Sequence, residues 1–362
     1  MRRQAADDAR SAQGSERRSM MPAMELSAPL SAYDLGGPAR TRPIEGGLIN
    51  RTFLVEAPRG RFVLQRLHPI FGAEVHDDIE AVTAHLAARG LHITPRLVRT
   101  TDGALFTRLD DGVWRLQTFV DGLTVHRVDG PARAEAAGAL VGLFHASLAD
   151  LRHSFRFRRA GVHDTARHFA LLDAAIDAHA THPSRDVVAA LRDELRAGLA
   201  ALPSIAGADL PRRVAHGDLK ISNLLFDASG RATCLVDLDT LAEMALPFEL
   251  GDAWRSWCNP LGEDDEHARF DPALLAAAWR GYRGPMAGTL SAAERELLVP
   301  GILTICLELS ARFARDVLDD EYFGWDATRF SSRAAHNLVR ARGQASLHRS
   351  LAAQRASITL AP

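Results

Sequence analysis

Several polar side chains stand at fixed offsets in the segment HGDLKISNLLFD, residues 216–227. Asp218 and Asn223 are separated by Lys220, and a further acid, Asp237, follows in VDLD. Phosphoryl transfer from ATP needs these groups. A carboxylate orients and deprotonates the acceptor hydroxyl, a cation faces the γ-phosphate, and one amide and one carboxylate oxygen hold Mg²⁺. The pattern therefore predicts a site for phosphoryl transfer.

The spacing of Asp218 and Asn223 equals that of the kinase catalytic loop, H-R-D-x-x-x-x-N, with Gly217 in place of the arginine. Short apolar strands are expected on both sides of this loop, so Asn223 and Asp237 should lie close together across a hairpin. An Asx-turn with an incidental lysine is the alternative for the single motif. The acid at Asp237 favours the catalytic interpretation.

The elements that must position this loop divide the chain into a β-rich and a helical part. RTFLVE and RFVLQRL are short strands joined by the turn signal APRG, and HDDIEAVTAHLAARG has helical spacing that ends at Gly90. Further strands are predicted at PRLVRT, ALFTRL and WRLQTFV. This region should form a small sheet with one helix across it.

Helical periodicity dominates after Gly122. Helices are predicted at 131–151, 165–179 and 185–202, followed by a β island around the HGD loop and by further helices beyond Glu249. Ser291 and Glu294 offer a capping box. The predicted organisation is a disordered tail (1–27), an N-terminal ATP-binding lobe (28–120), a C-terminal catalytic and substrate lobe (121–350) and a second tail (351–362).

Composition excludes several classes of function. The chain has 362 residues, with 43 Lys and Arg against 45 Asp and Glu, so no basic excess indicates binding to nucleic acid or to an anionic membrane. Cys234, Cys258 and Cys306 show no metal-binding spacing and indicate a reducing compartment. No apolar signal segment and no uninterrupted membrane span are found. We expect a cytoplasmic enzyme that acts on a small molecule, and the sequence leaves its oligomeric state open.

HGDLKISNLLFD followed by VDLDT resembles the aminoglycoside phosphotransferase and choline kinase superfamily. This resemblance implies an α+β, bilobal protein-kinase-like fold with a small β-rich N-lobe and a larger, mainly helical C-lobe. GGLINRTFLVE, FVLQRLHPIF and ELSARFARDVLDDEYF are similar to N-acetylhexosamine 1-kinases. The likeness extends from about residue 44 to residue 344 and does not identify the sugar.

The resemblance assigns roles around the HGD loop. Asp218 is expected to be the catalytic base, with Lys220 near the γ-phosphate and Asn223 and Asp237 as Mg²⁺ ligands. The remaining residues have supporting roles. His216 braces the loop, Asp252 anchors its backbone, and Asp239 is either a further metal-shell group or a surface carboxylate.

The resemblance also implies an ATP site in the N-lobe, with one departure from the kinase pattern. Gln65 stands where kinases have their ATP-binding lysine, and Arg66 points to the opposite face of the strand, so it should not simply replace that lysine. The other expected nucleotide-binding residues are Gly46, Gly47 and Asn50 in a phosphate-covering loop, Glu80 on the small-lobe helix, and Thr118 and Val120 at the adenine hinge.

The expected acceptor is the anomeric hydroxyl of an N-acetylhexosamine. The alternatives are an amino alcohol or aminoglycoside, for which LDDEYF (318–323) is a candidate acidic pocket, and a pseudokinase that binds nucleotide without turnover. Arg312 is a candidate substrate residue that could instead only pair with Glu308. Trp254 and Trp257 could stack on a sugar, but we expect them to pack in the core.

Overall fold

The computed structural model describes residues 23–44, 50–157 and 161–360. It contains two compact units. The first comprises the residues up to 76 together with 96–119, and the second comprises 77–95 together with the residues from 120 onward. The predicted lobes, 28–120 and 121–350, stay a prediction. Residues 77–95, which the prediction placed in the N-lobe, group with the second unit.

Asp78 gives a physical reason for that grouping. Its buried carboxylate accepts hydrogen bonds from the backbone N–H groups of Arg156 (3.0 Å) and Phe157 (2.9 Å), and it lies 2.7 Å from His153 Nε2. A buried carboxylate needs such partners, so Asp78 holds the early part of its helix against residues 153–157 of the second unit.

The first unit is built around an antiparallel sheet in the strand order β1-β2-β3-β6-β4, with β5 paired to β6. Its elements are α1 (Ala23–Leu30), β1 (Arg40–Pro43), β2 (Arg51–Ala57), β3 (Gly60–Arg66), β4 (Leu97–Val98), β5 (Thr107–Leu109) and β6 (Gly112–Thr118). The predicted strands of this region are therefore confirmed. The predicted tail overlaps α1, whose Leu26 is buried in this unit's core.

Alternation of side chains along β2 and β3 explains why these segments pair. Phe53 on β2 and Leu64 on β3 are register partners, and both pack into the core on one face of the sheet with Trp114 of β6. The intervening residues point to the other face, because successive side chains of a strand alternate. Gly60, with φ +134°, follows the turn that joins the two strands.

The second unit is mainly helical. Its helices are α2 (Val75–Ala88, whose first two residues belong to the first unit), α3 (Pro131–Ser147), α4 (Thr165–Ala178), α5 (Arg185–Ala200), α6 (Leu246–Trp257), α7 (Pro272–Arg283), α8 (Ala292–Asp319) and α9 (Arg333–Gln354). The predicted capping box is present, since Ser291 and Glu294 exchange side-chain-to-backbone hydrogen bonds at the start of α8. Helix α9 extends into the predicted second tail.

The β island forms two small sheets, where the sequence suggested one. One sheet has the order β10-β9-β7, from Ala232–Leu235, Leu224–Phe226 and Leu123–Thr124. The other pairs β8 (Arg212–Ala215) with β11 (Ala242–Ala245), a strand that the sequence analysis did not predict. The segment from Ala215 to Leu224 therefore passes from one sheet to the other, and it carries the HGD motif.

Helix α6 approaches α8 closely because both helices carry glycine at the contact. A Cβ atom on Gly301 would lie 2.1 Å from the carbonyl oxygen of Pro247, so no larger residue fits there without moving α6. Helix α8 is long and apolar enough to cross a membrane by length and composition, but 83% of its apolar window is buried inside the protein. It is the central helix of this unit's core.

Candidate active site

The HGD loop brings three of the predicted residues into direct contact. Lys220 Nζ donates a hydrogen bond to Asp218 Oδ2 at 2.6 Å. Asn223 Nδ2 donates to the same oxygen at 3.1 Å and to the backbone carbonyl of Asp218 at 2.8 Å. The Asp218 carboxylate is thus held in one orientation by two neighbours from its own loop.

The charges in this loop favour the ionised forms of Asp218 and Lys220. Burial alone would raise the pKa of Asp218, but the adjacent Lys220 ammonium outweighs burial and holds that pKa below its ordinary value. For Lys220, burial alone would lower the pKa, and the carboxylates of Asp218 and Asp237 raise it above its ordinary value instead. Asp218 is therefore a carboxylate at neutral pH and can accept a proton.

Glu249 on α6 holds the loop's backbone. Its buried carboxylate accepts hydrogen bonds from the N–H groups of His216 (2.7 Å) and Gly217 (3.0 Å). The sequence analysis expected Asp252 to have this anchoring role, whereas Glu249 is the acid that accepts these two backbone hydrogen bonds. Asp252 lies one helical turn further along α6 and instead accepts two hydrogen bonds from Arg255, at 3.0 and 2.8 Å.

Further hydrogen bonds fix the loop from other elements. His216 Nε2 lies 2.9 Å from the carbonyl oxygen of Val236, and Thr240 Oγ1 donates to the carbonyl of His216 at 2.8 Å. Trp257 Nε1 donates to the carbonyl of Leu219 at 2.7 Å. Trp257 and Trp254 are fully buried, as the sequence analysis expected. The loop is consequently rigid where Asp218 projects.

The backbone conformation at position 217 requires a glycine. Its φ is +81°, in the left-handed region that disfavours other residues, and a Cβ atom would lie 2.3 Å from the carbonyl oxygen of Thr240. The glycine that replaces the arginine of the kinase motif therefore allows the loop to pass directly against residue 240.

Asp237 lies beside the loop, as the hairpin prediction requires. The backbone N–H of Val236 donates to the carbonyl of Asn223 at 2.9 Å, just before β9 and just after β10, which places the two predicted metal ligands at the same end of this strand pair. Asp237 has left-handed backbone angles, φ 65° and ψ 59°, which an aspartate tolerates better than most residues do.

The donor set at this position fits Mg²⁺. The surrounding protein, together with the carboxylates of Asp239 and Asp218, raises the pKa of Asp237 to about 6, although its side chain remains accessible to solvent. A divalent cation would relieve this repulsion. Asn223 and Asp237 would provide amide and carboxylate oxygens, and phosphate oxygens and water would complete the shell that Mg²⁺ prefers. Asp239 is buried and is therefore not a surface carboxylate.

A second group of charged side chains lies next to Asp252. Glu308 on α8 accepts a hydrogen bond from Thr165 Oγ1 at 2.7 Å, and its other oxygen lies 3.3 Å from His163 Nδ1. Burial would lower the pKa of His163, but Glu308 and Asp252 raise it. Arg312, one turn beyond Glu308, lies over the Phe323 ring at 5.6 Å. The pair between Glu308 and Arg312 that the sequence allowed is absent from the described residues.

The predicted nucleotide residues of the first unit have different environments. Gln65 accepts two hydrogen bonds from Arg115 on β6, whereas Arg66 points to the other face and donates to the backbone carbonyl of Asp111. Asn50 Oδ1 accepts from the backbone N–H of His68 at 2.9 Å.

The other predicted nucleotide residues are distributed over both units. Thr118 Oγ1 accepts a hydrogen bond from the backbone N–H of Arg96 at 2.9 Å in the first unit. Glu80 on α2 and Val120 belong to the second unit. Gly46 and Gly47 lie outside the described residues.

Comparison with known proteins identifies the family. The family model described as the phosphotransferase enzyme family, APH, matches residues 40–293, more than half of the chain. The chain belongs to the APH phosphotransferase family. The superfamily predicted from the HGD motif is therefore confirmed, while the narrower likeness to N-acetylhexosamine kinases stays a prediction.

Relatives of this APH phosphotransferase include kinases of small hydroxylated molecules. Homoserine kinase of Methylobacterium nodulans is 28% identical over 266 residues, which cover 73% of this chain and 78% of the relative. The microcompartment-associated aminopropanol kinase superposes with a TM-score of 0.63 at 18% identity, covering 94% of this chain and all of that one. Amicoumacin kinase, solved with AMP-PNP and Ca²⁺, superposes with a TM-score of 0.59 at 14% identity. The match covers 89% of this chain and 92% of that one. The expected kinase-like α+β fold is confirmed.

Two residues of this phosphotransferase were missed by the sequence analysis. Glu249 is one helical turn before Asp252. Which of the two acids contacts the loop depends on where α6 crosses it, and the sequence does not show that position. Arg115 stands in VWRLQT, where Trp114 and Leu116 alternate with Arg115 and Gln117. That alternation could have indicated a polar face on β6, but the strand register that places Arg115 beside Gln65 is not visible in the sequence.

Proposed function

We propose that this phosphotransferase transfers the γ-phosphate of ATP, with Mg²⁺, to a hydroxyl group of a small molecule, and that this acceptor is an N-acetylhexosamine phosphorylated at its anomeric hydroxyl. The observation that carries the kinase assignment is the contact of Asp218 with both Lys220 and Asn223 on a loop pinned by Glu249. Family membership supports the same reaction class.

Each residue has a distinct task in this proposal. Asp218, ionised and oriented, accepts the proton of the attacking hydroxyl. Lys220 exchanges its contact with Asp218 for the transferred phosphoryl group and offsets the charge that develops there. Asn223 and Asp237 hold Mg²⁺, which supplies positive charge to the phosphates when bound. Glu249 keeps the loop backbone in place during the reaction.

The charges next to the loop favour a neutral or zwitterionic acceptor over a purely cationic one. A cationic acceptor needs carboxylates whose charge is not already balanced. Asp252 is paired with Arg255, and Glu308 contacts both Thr165 and His163. These groups interact electrostatically with one another and, through Asp252, with Lys220.

The acidic segment LDDEYF does not offer an open cage for an ammonium group either. Asp319 contacts Arg315 at 2.6 Å and His179 at 3.2 Å, and Asp320 lies 4.0 Å from Arg333. A sugar, which needs hydrogen-bond partners more than net charge, suits such balanced surroundings. The N-acetylhexosamine proposal rests on this balance and on the resemblance of the two sequence blocks.

Homoserine is the second candidate acceptor, because the curated relatives at 26–30% identity are named homoserine kinases. Homoserine is a zwitterion, and Arg312 could pair with its carboxylate. Within the described part of the chain, Arg312 forms no hydrogen bond or ion pair, so its guanidinium is available to such a group.

A substrate panel tests the proposal. ADP release would be measured with N-acetylglucosamine, N-acetylgalactosamine, a 1-deoxy-N-acetylhexosamine, homoserine, choline and kanamycin. We expect turnover of an N-acetylhexosamine, and we expect the 1-deoxy sugar to inhibit without being phosphorylated. Turnover of homoserine alone would replace the sugar with the second candidate. No turnover of any acceptor, with intact ATP binding, would favour the pseudokinase.

We also propose a cytoplasmic location. Cys234, Cys258 and Cys306 are buried free thiols, which suits a reducing compartment. Mass spectrometry of the protein purified without reductant should find all three cysteines unmodified.

A further inference from the structure

The imidazole ring of His163 is held in place by two neighbours. It stacks on the ring of Phe248 on α6, with the ring centroids 5.6 Å apart and the planes inclined by 4°. Its Nδ1 lies 3.3 Å from Oε1 of Glu308, whose other oxygen accepts a hydrogen bond from Thr165. Because a carboxylate can only accept, Nδ1 carries the proton of this contact. The two contacts fix the ring and leave Nε2 as its second polar atom.

Nε2 of His163 is a positioned polar atom that the fold itself does not use. It forms no hydrogen bond within the described residues, and 11% of the side chain is exposed. Burial alone would lower the pKa of His163, but Glu308 and Asp252 raise it above its ordinary value, which favours a proton on Nε2 as well. The backbone φ of His163 is +52°, a strained conformation of the kind that is concentrated at binding sites.

Asp252 on α6 offers the complementary acceptor atom. Both hydrogen bonds from Arg255 go to Oδ1 of Asp252, at 3.0 and 2.8 Å. Its Oδ2 accepts none in the part of the chain that the structure describes, and 14% of the side chain is exposed. Asp252 follows Phe248 by one helical turn, so it lies on the side of α6 where the ring of His163 stacks, and it interacts electrostatically with that ring.

This pair of side chains lies beside the HGD loop in the second unit. Asp252 interacts electrostatically with the ammonium group of Lys220. Glu249, which holds the backbone of the loop, is on the same helix between Phe248 and Asp252. An acceptor whose reacting hydroxyl is at Asp218 can therefore present a second polar group to this pair.

We propose that His163 and Asp252 together bind a second hydroxyl group of the acceptor, one that is not phosphorylated, with His163 Nε2 donating to its oxygen and Asp252 Oδ2 accepting its proton. This inference rests on the proposed function and deepens it, because it names the acceptor as a molecule with several hydroxyl groups. A hydroxyl both donates and accepts, so a single one satisfies both side chains. An ammonium group cannot accept from His163, and a carboxylate cannot donate to Asp252. The pair therefore favours a sugar over choline or homoserine.

Steady-state kinetics with N-acetylglucosamine as the acceptor tests this assignment. His163→Ala should raise KM for the sugar about 5- to 20-fold, as expected for the loss of one hydrogen bond, while KM for ATP stays within about twofold of wild type. In His163→Gln, the amide Nε2 can take the place of the ring Nε2, so KM for the sugar should return to within about threefold. His267→Ala is the matched control, since this histidine of the same unit is 82% exposed, and it should change neither KM.

Deoxy analogues of the sugar identify the hydroxyl that is bound. The 3-, 4- and 6-deoxy forms of N-acetylglucosamine would be compared in the wild type and in His163→Ala. We expect one analogue to have a raised KM in the wild type and the same KM in the variant, because the partner of His163 is then already missing. If His163→Ala does not fold, His163→Phe, which keeps a ring on Phe248, provides the same comparison.

The possible outcomes separate this inference from the proposed function. An unchanged KM for the sugar in a folded His163 variant, or equal increases in KM for the sugar and for ATP, would overturn the inference. The same would follow if removal of each hydroxyl and removal of the imidazole had independent effects. A wild type that phosphorylates homoserine and no sugar would overturn this subsite and leave the kinase assignment intact. A wild type that phosphorylates no acceptor would overturn the proposed function, and this inference with it.

Discussion

The carboxylate of Glu249 accepts a hydrogen bond from the backbone N–H of Gly217, 3.0 Å away, immediately before the aspartate that is proposed as the catalytic base. The second oxygen of Glu249 accepts from His216 in the same way. A buried side chain on α6 thus fixes the backbone of the HGD loop, and the position of Asp218 depends on a residue outside the motif.

We first predict that Glu249→Gln lowers both stability and activity. The amide nitrogen of glutamine cannot accept a hydrogen bond, so one buried backbone N–H would lose its partner, at a cost of about 1–3 kcal/mol in the free energy of unfolding. Urea denaturation and kcat would be measured together. Glu243→Gln, an exposed change on the adjacent β11, is the control and should alter neither quantity. Wild-type behaviour of the Glu249 variant would disprove the anchoring role.

We also predict that the difference in unfolding free energy between the wild type and Glu249→Gln depends on pH. Burial would raise the pKa of Glu249, but its interactions with His145, whose Nε2 lies 3.4 Å away, and with His216 hold that pKa below its ordinary value. A lowered pKa stabilises the fold above the unfolded value, about 4.3, and that stabilisation disappears as the pH falls through the folded value. The difference in unfolding free energy between wild type and Glu249→Gln should therefore be largest near neutral pH and shrink below about pH 4.3. A constant difference from pH 7 to pH 3 would contradict this.

Asp218→Asn should leave ATP binding intact and reduce kcat. Loss of general-base assistance costs about 10²–10⁴-fold, because asparagine cannot take the proton of the acceptor hydroxyl. Calorimetric ATP binding and steady-state turnover would be compared with those of Asp209→Asn, a change at an exposed position before β8. A turnover number equal to that of the wild type would remove Asp218 from the proposed mechanism.

Replacement of either proposed metal ligand should raise the Mg²⁺ concentration required for half-maximal activity. Asp237→Ala should have the larger effect, because it removes a charged oxygen ligand, whereas Asn223→Ala removes a neutral one. Titration of Mg²⁺ at fixed ATP would measure this, with Asp209→Ala as the control. If EDTA leaves the wild-type reaction unaffected, the assignment of both ligands is wrong.

Arg312→Met should raise KM for the acceptor and leave KM for ATP unchanged. Arg312 lies one helical turn from Glu308 and is available to a substrate, whereas Arg315 on the same helix is engaged with Asp319. Arg315→Met is therefore the matched control and should change neither KM. An increase in both KM values for Arg312→Met would indicate a general disturbance of the fold and argue against acceptor binding.

Local sequence patterns were sufficient for the parts of the fold that depend on neighbours in the chain. The hairpin of β2 and β3 follows from alternation and a turn signal, and the start of α8 follows from the Ser291–Glu294 box. The contacts of Lys220 and Asn223 with Asp218 span only a few residues, so their spacing already implies them. These features need no knowledge of how distant segments meet.

Features that depend on distant contacts were not predictable in the same way. Glu249 and Asp252 lie on the same helix, and the chain does not show which of them meets the loop. The contact between Arg115 and Gln65 likewise depends on the register in which β6 pairs with β3. Helical periodicity likewise does not reveal which neighbours Asp78 will bind.

The position of α8 in the chain has a consequence during synthesis. Its apolar surface is covered in part by α9, through contacts such as the hydrogen bond from Ser310 Oγ to the carbonyl of Ala341 at 2.7 Å. A ribosome adds about 5–20 residues per second, so translation of the 22 residues of α9 takes roughly 1–4 s. Until they emerge, this long apolar helix of the nascent protein has an uncovered side, and chaperones that bind such segments have that interval in which to act.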